Sequence, residues 1–505
     1  MNATTTSHTT GTGLAALEAR LREDLAWLEL PSPAWVPSRF VEGERVLDVA
    51  IIGGGMAGLT VAAELRMLGI DHIQLFDQAS AGHEGPWVTY ARMHTLRSPK
   101  QLTGPALRFP ALTFRAWYEA QFGRAQWDAL NKIPREQWMA YLRWYRDVLA
   151  LPVVNDTRVA LIEPRADGLW ALRLQAVAGR EASAVQARTV LARHVVLATG
   201  REGLGGPYVP PIADTLPAHL RAHSSDAIDF DALRAKRVGV VGGSASAFDN
   251  AAVALEAGAA RVDLFIRRSE MPRINKLTGI GSPGLVHGFQ HLDDEWKWRF
   301  LHYSAQSQTP APRDSVLRVT RHAQAHLHLG SPLLGATVQG DEIALDTPKG
   351  RYVLDYLIFA TGFHSEIDTR PEFASIAPHV RRWRDRFDPG PQLANDELGS
   401  SPDLDTQLAF QERVPGSCPS LGRIHCFNHA ASLSHGKVAG DIPAISDGAQ
   451  RLARGIASML FDADRELHYA ALQAFDKAEL FGDEWVDADA DAATATSRPA
   501  VTNES

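Results

Sequence analysis

Val49-Ala50-Ile51-Ile52-Gly53-Gly54-Gly55-Met56-Ala57-Gly58 is a short β-branched run, a glycine-rich turn and the start of an amphipathic helix. The pattern returns further along as Val238-Gly239-Val240-Val241-Gly242-Gly243-Ser244-Ala245-Ser246-Ala247. In such a strand–turn–helix unit the first glycine makes the tight turn and the second lets the backbone approach a pyrophosphate. The third small residue lets the helix pack on the strand, and the helix N-terminus faces the phosphates. One such pattern is a weak signal. Two in context predict an α/β chain with two Rossmann-like dinucleotide-binding domains. Gly53, Gly55 and Gly58 would serve the first nucleotide, and Gly242, Ser244 and Ala247 the second. Two dinucleotides imply hydride or electrons passing between them.

The residues that follow each unit separate the two ligands. Ile73-Gln74-Leu75-Phe76-Asp77 reads as the second strand of the first unit, ending in an acid. An acid there accepts the ribose 2′-hydroxyl, which fits the adenosine half of FAD. The second unit runs into Val262-Asp263-Leu264-Phe265-Ile266-Arg267-Arg268, with Ile266 in place of the acid and two arginines after it. A cation there suits a 2′-phosphate, so NADPH is favoured over NADH as co-substrate. The alternative is that Arg267 and Arg268 cap a strand at the surface.

A chain of 505 residues with net charge −8 is long for one core and argues against nucleic acid or anionic membranes as partners. Met1 to Gly13 is polar and threonine-rich without an apolar signal core. The most apolar stretch, Val46 to Leu65, is interrupted by glycines, so no membrane span is expected. Cys418 and Cys426 are the two cysteines, and no C-x-x-C exists. The redox-active disulfide of flavin disulfide reductases is therefore absent, and both thiols are expected to be reduced, packed groups in a cytoplasm. Metal-ligand spacing is not found. His326 and His328 alternate in a strand-like run without an acidic partner and are expected at the surface. The composition leaves self-association into a homo-oligomer open.

Leu14, Leu17, Leu21, Leu25 and Leu28 share one face of an expected helix, followed by a Pro-rich link to residue 44. Residues 45–205 are expected to form the first part of the FAD domain. Within them, most aromatics between 84 and 150 are expected to be helix core. Val195-Val196-Leu197-Ala198-Thr199-Gly200 and Leu357-Ile358-Phe359-Ala360-Thr361-Gly362 are paired strand ends, where the chain leaves and re-enters that domain. The NAD(P) domain is thus expected at 206–356, the rest of the FAD domain at 357–480, and a disordered acidic tail at 481–505.

These features, with Gly85-Pro86-Trp87 after the acid and the closing Gly440-Asp441, resemble class B flavin monooxygenases over about residues 45 to 460. That class includes flavin-containing monooxygenases, Baeyer–Villiger enzymes and amine N-hydroxylases. Asp355-Tyr356-Leu357-Ile358-Phe359-Ala360-Thr361-Gly362-Phe363 is similar to the D-x-x-x-F-A-T-G-[YF] of the N-hydroxylases. The Baeyer–Villiger fingerprint would align His223, but Pro217, His219 and Ala227 stand where it has Phe, Gly and Trp. The segment Glu84 to Lys100 resembles a bacterial group holding FAD-dependent urate hydroxylases and L-aspartate N-monooxygenases.

The resemblance implies a single-component monooxygenase in which NAD(P)H reduces the flavin and O₂ is activated as a C4a-hydroperoxyflavin kept from water. Its substrate would be a flat anion or a small amino acid. Urate hydroxylation is the first reading and N-hydroxylation of L-aspartate the second. A non-oxygenating FAD/NAD(P)H oxidoreductase and a nucleotide-sensing protein come after them. Trp87, Gly200, Gly362 and Asp441 join Asp77 as expected cofactor contacts, although Asp441 could also N-cap the last helix. Arg92, Arg97 and Lys100 are the cationic candidates for the substrate, beside Trp87, Tyr90 and His94. For Arg92 and Arg97 a phosphate or flavin contact is the equal alternative. His223 is expected in the linker by the nicotinamide.

Replacing both Arg267 and Arg268 by alanine should raise KM for NADPH far more than for NADH, by about 1.5–3 kcal/mol for a lost charge-assisted contact. Steady-state kinetics with both coenzymes checks this, and equal effects would remove the case for a 2′-phosphate site.

Overall fold

The computed structural model describes residues 13–177 and 188–485. The expected acidic tail beyond residue 485 lies outside them. Met459 closes one compact unit, and the described residues from Leu460 to Trp485 belong to a second, with a helix Arg465–Ala474.

The first unit holds two parallel-stranded sheets. In the first sheet the strands are β1 (Leu47–Ile52), β2 (Ile73–Phe76), β3 (Val153–Val154), β4 (Thr157–Pro164), β5 (Trp170–Ala176) and β6 (Arg188–Leu197), ordered β3-β2-β1-β6-β5-β4. β3, β2, β1 and β6 run parallel, and Ile424–Cys426 adds a parallel strand against β6. β5 and β4 fold back antiparallel. Val49, Ala50 and Ile51 are fully buried, so both faces of the parallel sheet are covered here. The helix after β1, Met56–Met67, buries nearly its whole length. Gly58 is what lets it in: a Cβ there would stand 1.9 Å from the Gly53 carbonyl oxygen.

Leu17 and Leu21 of the N-terminal helix Leu14–Trp27 are buried, while Leu28 is exposed just beyond it. Trp117, Tyr118, Trp127, Trp138, Tyr141, Trp144 and Tyr145 are buried together, with the Tyr141 hydroxyl donating to Leu112 O at 2.6 Å. These aromatics form a core, as their helical spacing predicts.

Five parallel strands make the second sheet: β7 (Arg221–His223), β8 (Arg237–Val241), β9 (Arg261–Ile266), β10 (Ala325–Leu329) and β11 (Tyr356–Phe359), ordered β7-β11-β8-β9-β10. β11 lies between β7 and β8, so the expected division at 356/357 cuts an inner strand of this sheet. The chain turns back toward the first sheet only after Gly362. The reason is hydrophobic: Leu357, Ile358 and Phe359 are fully buried in the two core layers of the second sheet. The two crossings pair with each other, Gly206–Pro207 antiparallel to Phe363–His364. A second expectation is also corrected. His328 is half-buried, with its Nε2 2.7 Å from Asp263 Oδ1 and its ring stacked on Phe265 at 5.2 Å. The acid was invisible in sequence because it sits on the neighbouring strand.

Between β9 and β10 the chain makes a helical module that includes Asp294–Ser307. Its Trp298 packs with Trp383, Leu398 and Leu433, which fixes the module to the segment after the second crossing. No helix among the described residues is long and apolar enough to cross a membrane.

Glu64, on the helix after β1, is buried, and desolvation pushes its carboxyl up to about 7 against the pull of Arg454 and Arg108. A carboxyl raised in this way costs stability as pH rises from the unfolded value near 4.5 through 7. Glu64→Gln should therefore match the parent near pH 5 and exceed it near pH 8, by up to about 3 kcal/mol. Urea unfolding at the two pH values reads the difference, and parallel curves would refute it.

Candidate active site

Each sheet carries a crevice where the strand order reverses between two parallel neighbours, which is where ligands bind in open α/β sheets. In the first sheet it opens between β1 and β6, and in the second between β8 and β11. The two are built alike. Gly53 has φ +107, and a Cβ on it would stand 2.4 Å from Ala198 O. Gly242 has φ +138, and a Cβ on it would stand 2.5 Å from Ala360 O. The paired Ala-Thr-Gly ends thus face the first glycines of the two turns. Gly200 and Gly362 continue them with φ +69 and +87.

The helices entering these crevices start at Met56 and Ala245, behind Gly55 and Ser244, and neither has a side-chain cap. Their first backbone N–H groups are therefore left for an anion. Ala247 stands where the first unit has Gly58, its Cβ 3.3 Å from the Cβ position of Gly242. Gly55 differs from Gly53 and Gly58. Its φ is −74, and the nearest atoms to a Cβ there belong to Gly85, at 3.8 Å. The protein itself does not require a glycine at this point, so the room above it fits a closely approaching pyrophosphate.

Asp77 closes the first crevice. Its Oδ2 accepts from Gly54 N and its Oδ1 from Ala79 N, both at 2.7 Å, which fixes the carboxylate and leaves each oxygen a lone pair for a ribose hydroxyl. Burial raises its pKa against those two N–H bonds. Trp87 follows Gly85 at the same rim, half-buried, edge-on to Trp138 at 6.2 Å. Beyond β9, Arg267 is exposed, and Arg268 donates to Gln306 O at 2.8 Å.

His223 ends β7 in the linker. Its Nδ1 accepts from Ser225 N at 3.2 Å, so its Nε2–H donates to Gly362 O at 3.0 Å. Burial lowers its pKa and keeps it neutral. The ring thus ties the linker to the second Ala-Thr-Gly end.

The three expected substrate cations separate. Lys100 is turned away, donating to Trp127 O at 2.6 Å and lying over that ring. Arg92 donates to Ser224 O at 2.7 Å, to Asp226 O at 2.8 Å and to Tyr90 O, and stacks on Phe230. Arg97 is exposed, gives one N–H to Pro310 O at 2.8 Å and feels the charge of Asp441. It lines a cleft of about 620 Å³ between residues 93–97 and the helix Arg313–Thr320. Asp441 does not cap through its side chain, and its Oδ2 is 3.8 Å from Lys437 Nζ.

His429 stands in the stretch Phe427-Asn428-His429-Ala430, to which the sequence alone assigns no role. Its backbone N–H donates to Gly200 O at 3.2 Å, and a Cβ on Gly440 would stand 3.8 Å from its Nδ1. Burial, with Arg201 and Lys437 nearby, holds this imidazole neutral. It lies between the first Ala-Thr-Gly end and Gly440-Asp441, two segments far apart in sequence. The same Arg201 and its neighbour Glu202 act on Tyr90, whose hydroxyl burial pushes up to about 12.

Two dinucleotide crevices of this build, one with an acid and one with arginines at its rim, define an FAD- and NAD(P)H-dependent flavoenzyme. The FAD-NAD(P)-binding family profile matches residues 50–202. A FAD-dependent urate hydroxylase of Xanthomonas campestris pv. campestris is 40% identical over 471 residues, covering 93% of this chain and 98% of the relative. The chain belongs to the family of FAD-dependent urate hydroxylases and is a flavoprotein monooxygenase. An ornithine hydroxylase of Pseudomonas aeruginosa shares the fold at TM-score 0.65 and 15% identity, covering 82% of this chain and 100% of that one. So does an FAD-bound cadaverine monooxygenase of Erwinia amylovora, at TM-score 0.63 and 14% identity, covering 82% and 95%.

Gly55→Ala and Gly58→Ala should part company. The first should purify folded but lose FAD, while the second should lose fold and flavin together, a clash costing about 3 kcal/mol or more. Flavin absorbance and thermal unfolding of both proteins decide, and a yellow Gly55→Ala enzyme would place the pyrophosphate elsewhere.

Proposed function

We propose that this chain hydroxylates urate to 5-hydroxyisourate, taking one oxygen atom from O₂ while the other leaves as water with the hydride of NAD(P)H and one proton from solvent, and NAD(P)H becomes NAD(P)⁺. The carrying observation is the 40% identity to a urate hydroxylase across 93% of the chain. FAD, when bound, takes two electrons from the nicotinamide and delivers them to O₂. Gly53, Gly55, Gly58 and Asp77 would hold its adenosine diphosphate, with Trp87, Gly200 and Asp441 nearer the ring. The second crevice would take the nicotinamide coenzyme, and the exposed Arg267 supports NADPH.

Urate is a flat anion, and a planar guanidinium matches it in charge and shape. Arg97 is the candidate to orient it. Lys132, Arg318 and Arg321 also line the cleft, but Asp314 holds the first at 2.8 Å and Glu256 the other two at 2.6 and 3.0 Å. The neutral His223 and His429 would keep stray protons away from the reacting oxygen. N-hydroxylation of L-aspartate is the second reading, since Arg97 could equally hold a carboxylate. We place the enzyme in the cytoplasm, in purine breakdown.

Arg97→Ala should uncouple the enzyme: NAD(P)H consumption continues, peroxide rises, and hydroxylated product falls on the order of 10²-fold as the substrate loses its place. Oxygen uptake, peroxide and product assays with urate and with aspartate check this. Flavin loss together with all activity would instead make Arg97 structural, and no stimulation by urate would end the urate reading.

A further inference from the structure

Residues 90–94 belong to the first sheet's side of the molecule, yet the second sheet's side grips them from two directions. From one direction, Arg92 reaches across to the linker carbonyls of Ser224 and Asp226, at 2.7 and 2.8 Å. From the other, Arg318 of the helix Arg313–Thr320 donates through Nη1 to the Arg92 carbonyl at 2.9 Å. Arg318 is itself aimed by a two-point pair with Glu256, Nε to Oε1 at 2.7 Å and Nη2 to Oε2 at 2.6 Å. Asp249 Oδ1 lies 4.0 Å away, and Ser315 donates to it at 2.7 Å. Arg321 and His94 face the same Glu256 carboxylate, at 3.0 and 4.0 Å. The Arg318 side chain is 8% exposed, so a cation has been taken from water to make one bond to a backbone carbonyl of the opposite module.

Glu256 ends the helix Ala245–Glu256 that starts at the second nucleotide's turn. The Arg92 segment continues from the Gly85–Trp87 rim of the first. Among the described residues, the chain joins the modules at the two crossings that pair at Gly206–Pro207 and Phe363–His364. The crossings, and the Trp298 cluster with Trp383 and Leu433, hold the modules on the side of the segment after the second crossing, and the Arg92 segment adds a separate fixed point that helps set their angle.

We propose that Arg318, aimed by Glu256 and acting through Arg92, is a positioning clasp that sets the second nucleotide module against the first for hydride transfer. The hydride, with its two electrons, leaves the reduced nicotinamide as NAD(P)⁺ and is accepted by the flavin. The clasp supplies geometry and no proton. The inference rests on the two-nucleotide reading of the proposed function.

The test reverses the pair, Glu256→Arg with Arg318→Glu. This keeps an ion pair between the two helices but removes the donor to Arg92 O. Arg92→Leu removes the other grip. In anaerobic stopped flow, both should retain FAD and be reduced normally by dithionite. Reduction by saturating NADPH or NADH should slow on the order of 10²-fold, the effect of about an ångström of misplacement. Spin labels on cysteines introduced at the exposed Gln126 and Lys349 give a second readout, since Cys418 and Cys426 are buried. The distance between them in the flavin-free protein should broaden in both variants. A reversed pair reduced at the parent rate, or distances as narrow as the parent's, overturns the clasp. If the parent itself is not reduced by either coenzyme, the two-nucleotide reading fails, and the label distances still decide the clasp.

Discussion

Two backbone contacts with no room for a methyl group organise this molecule. Gly53 lies against the Ala198 carbonyl and Gly242 against the Ala360 carbonyl, and at each a Cβ would come within 2.5 Å of oxygen. Each contact closes one sheet at the point where strand order reverses. Each also brings the tight turn, the following helix and the neighbouring Ala-Thr-Gly end to one spot. The helix N–H groups are left facing a crevice because the chain offers no side chain to cap them. Nucleotide binding is thus a consequence of how the sheets close, and the acid at one rim and arginines at the other distinguish two otherwise similar sites.

What was legible in sequence was whatever depends on neighbours along the chain. The glycine spacing, Asp77, and the Ala-Thr-Gly repeat are local, and each marks a turn or strand end found in the structure. The aromatic run around Trp138 read correctly as core because its helical period is also local. What sequence could not show is pairing across strands. His328 read as a surface residue, and its acid, Asp263, belongs to the adjacent strand. Tyr356–Phe359 read as a return strand of the first sheet, because the motif that ends it is the same in both sheets. Its partners, β7 and β8, decide otherwise.

The arginines make the same point for the site. Arg92, Arg97 and Lys100 share one short segment and one charge, so sequence treats them alike. In the folded chain Lys100 is tied to Trp127, Arg92 to the linker, and Arg97 lines a cleft. The difference lies in which carbonyls each meets. Glu256 and Arg318 carry no motif at all, because their meeting depends on two helices packing side by side.

The paired crossings at Gly206–Pro207 and Phe363–His364 have an evolutionary meaning. A module whose first and last strands are hydrogen-bonded neighbours enters and leaves its host at one place. It can lengthen, shorten or be exchanged for another coenzyme-binding module without changing the spacing of any strand in the sheet that receives it. The host sheet, closed by Ile424–Cys426 against β6, needs only that the chain come back where it left.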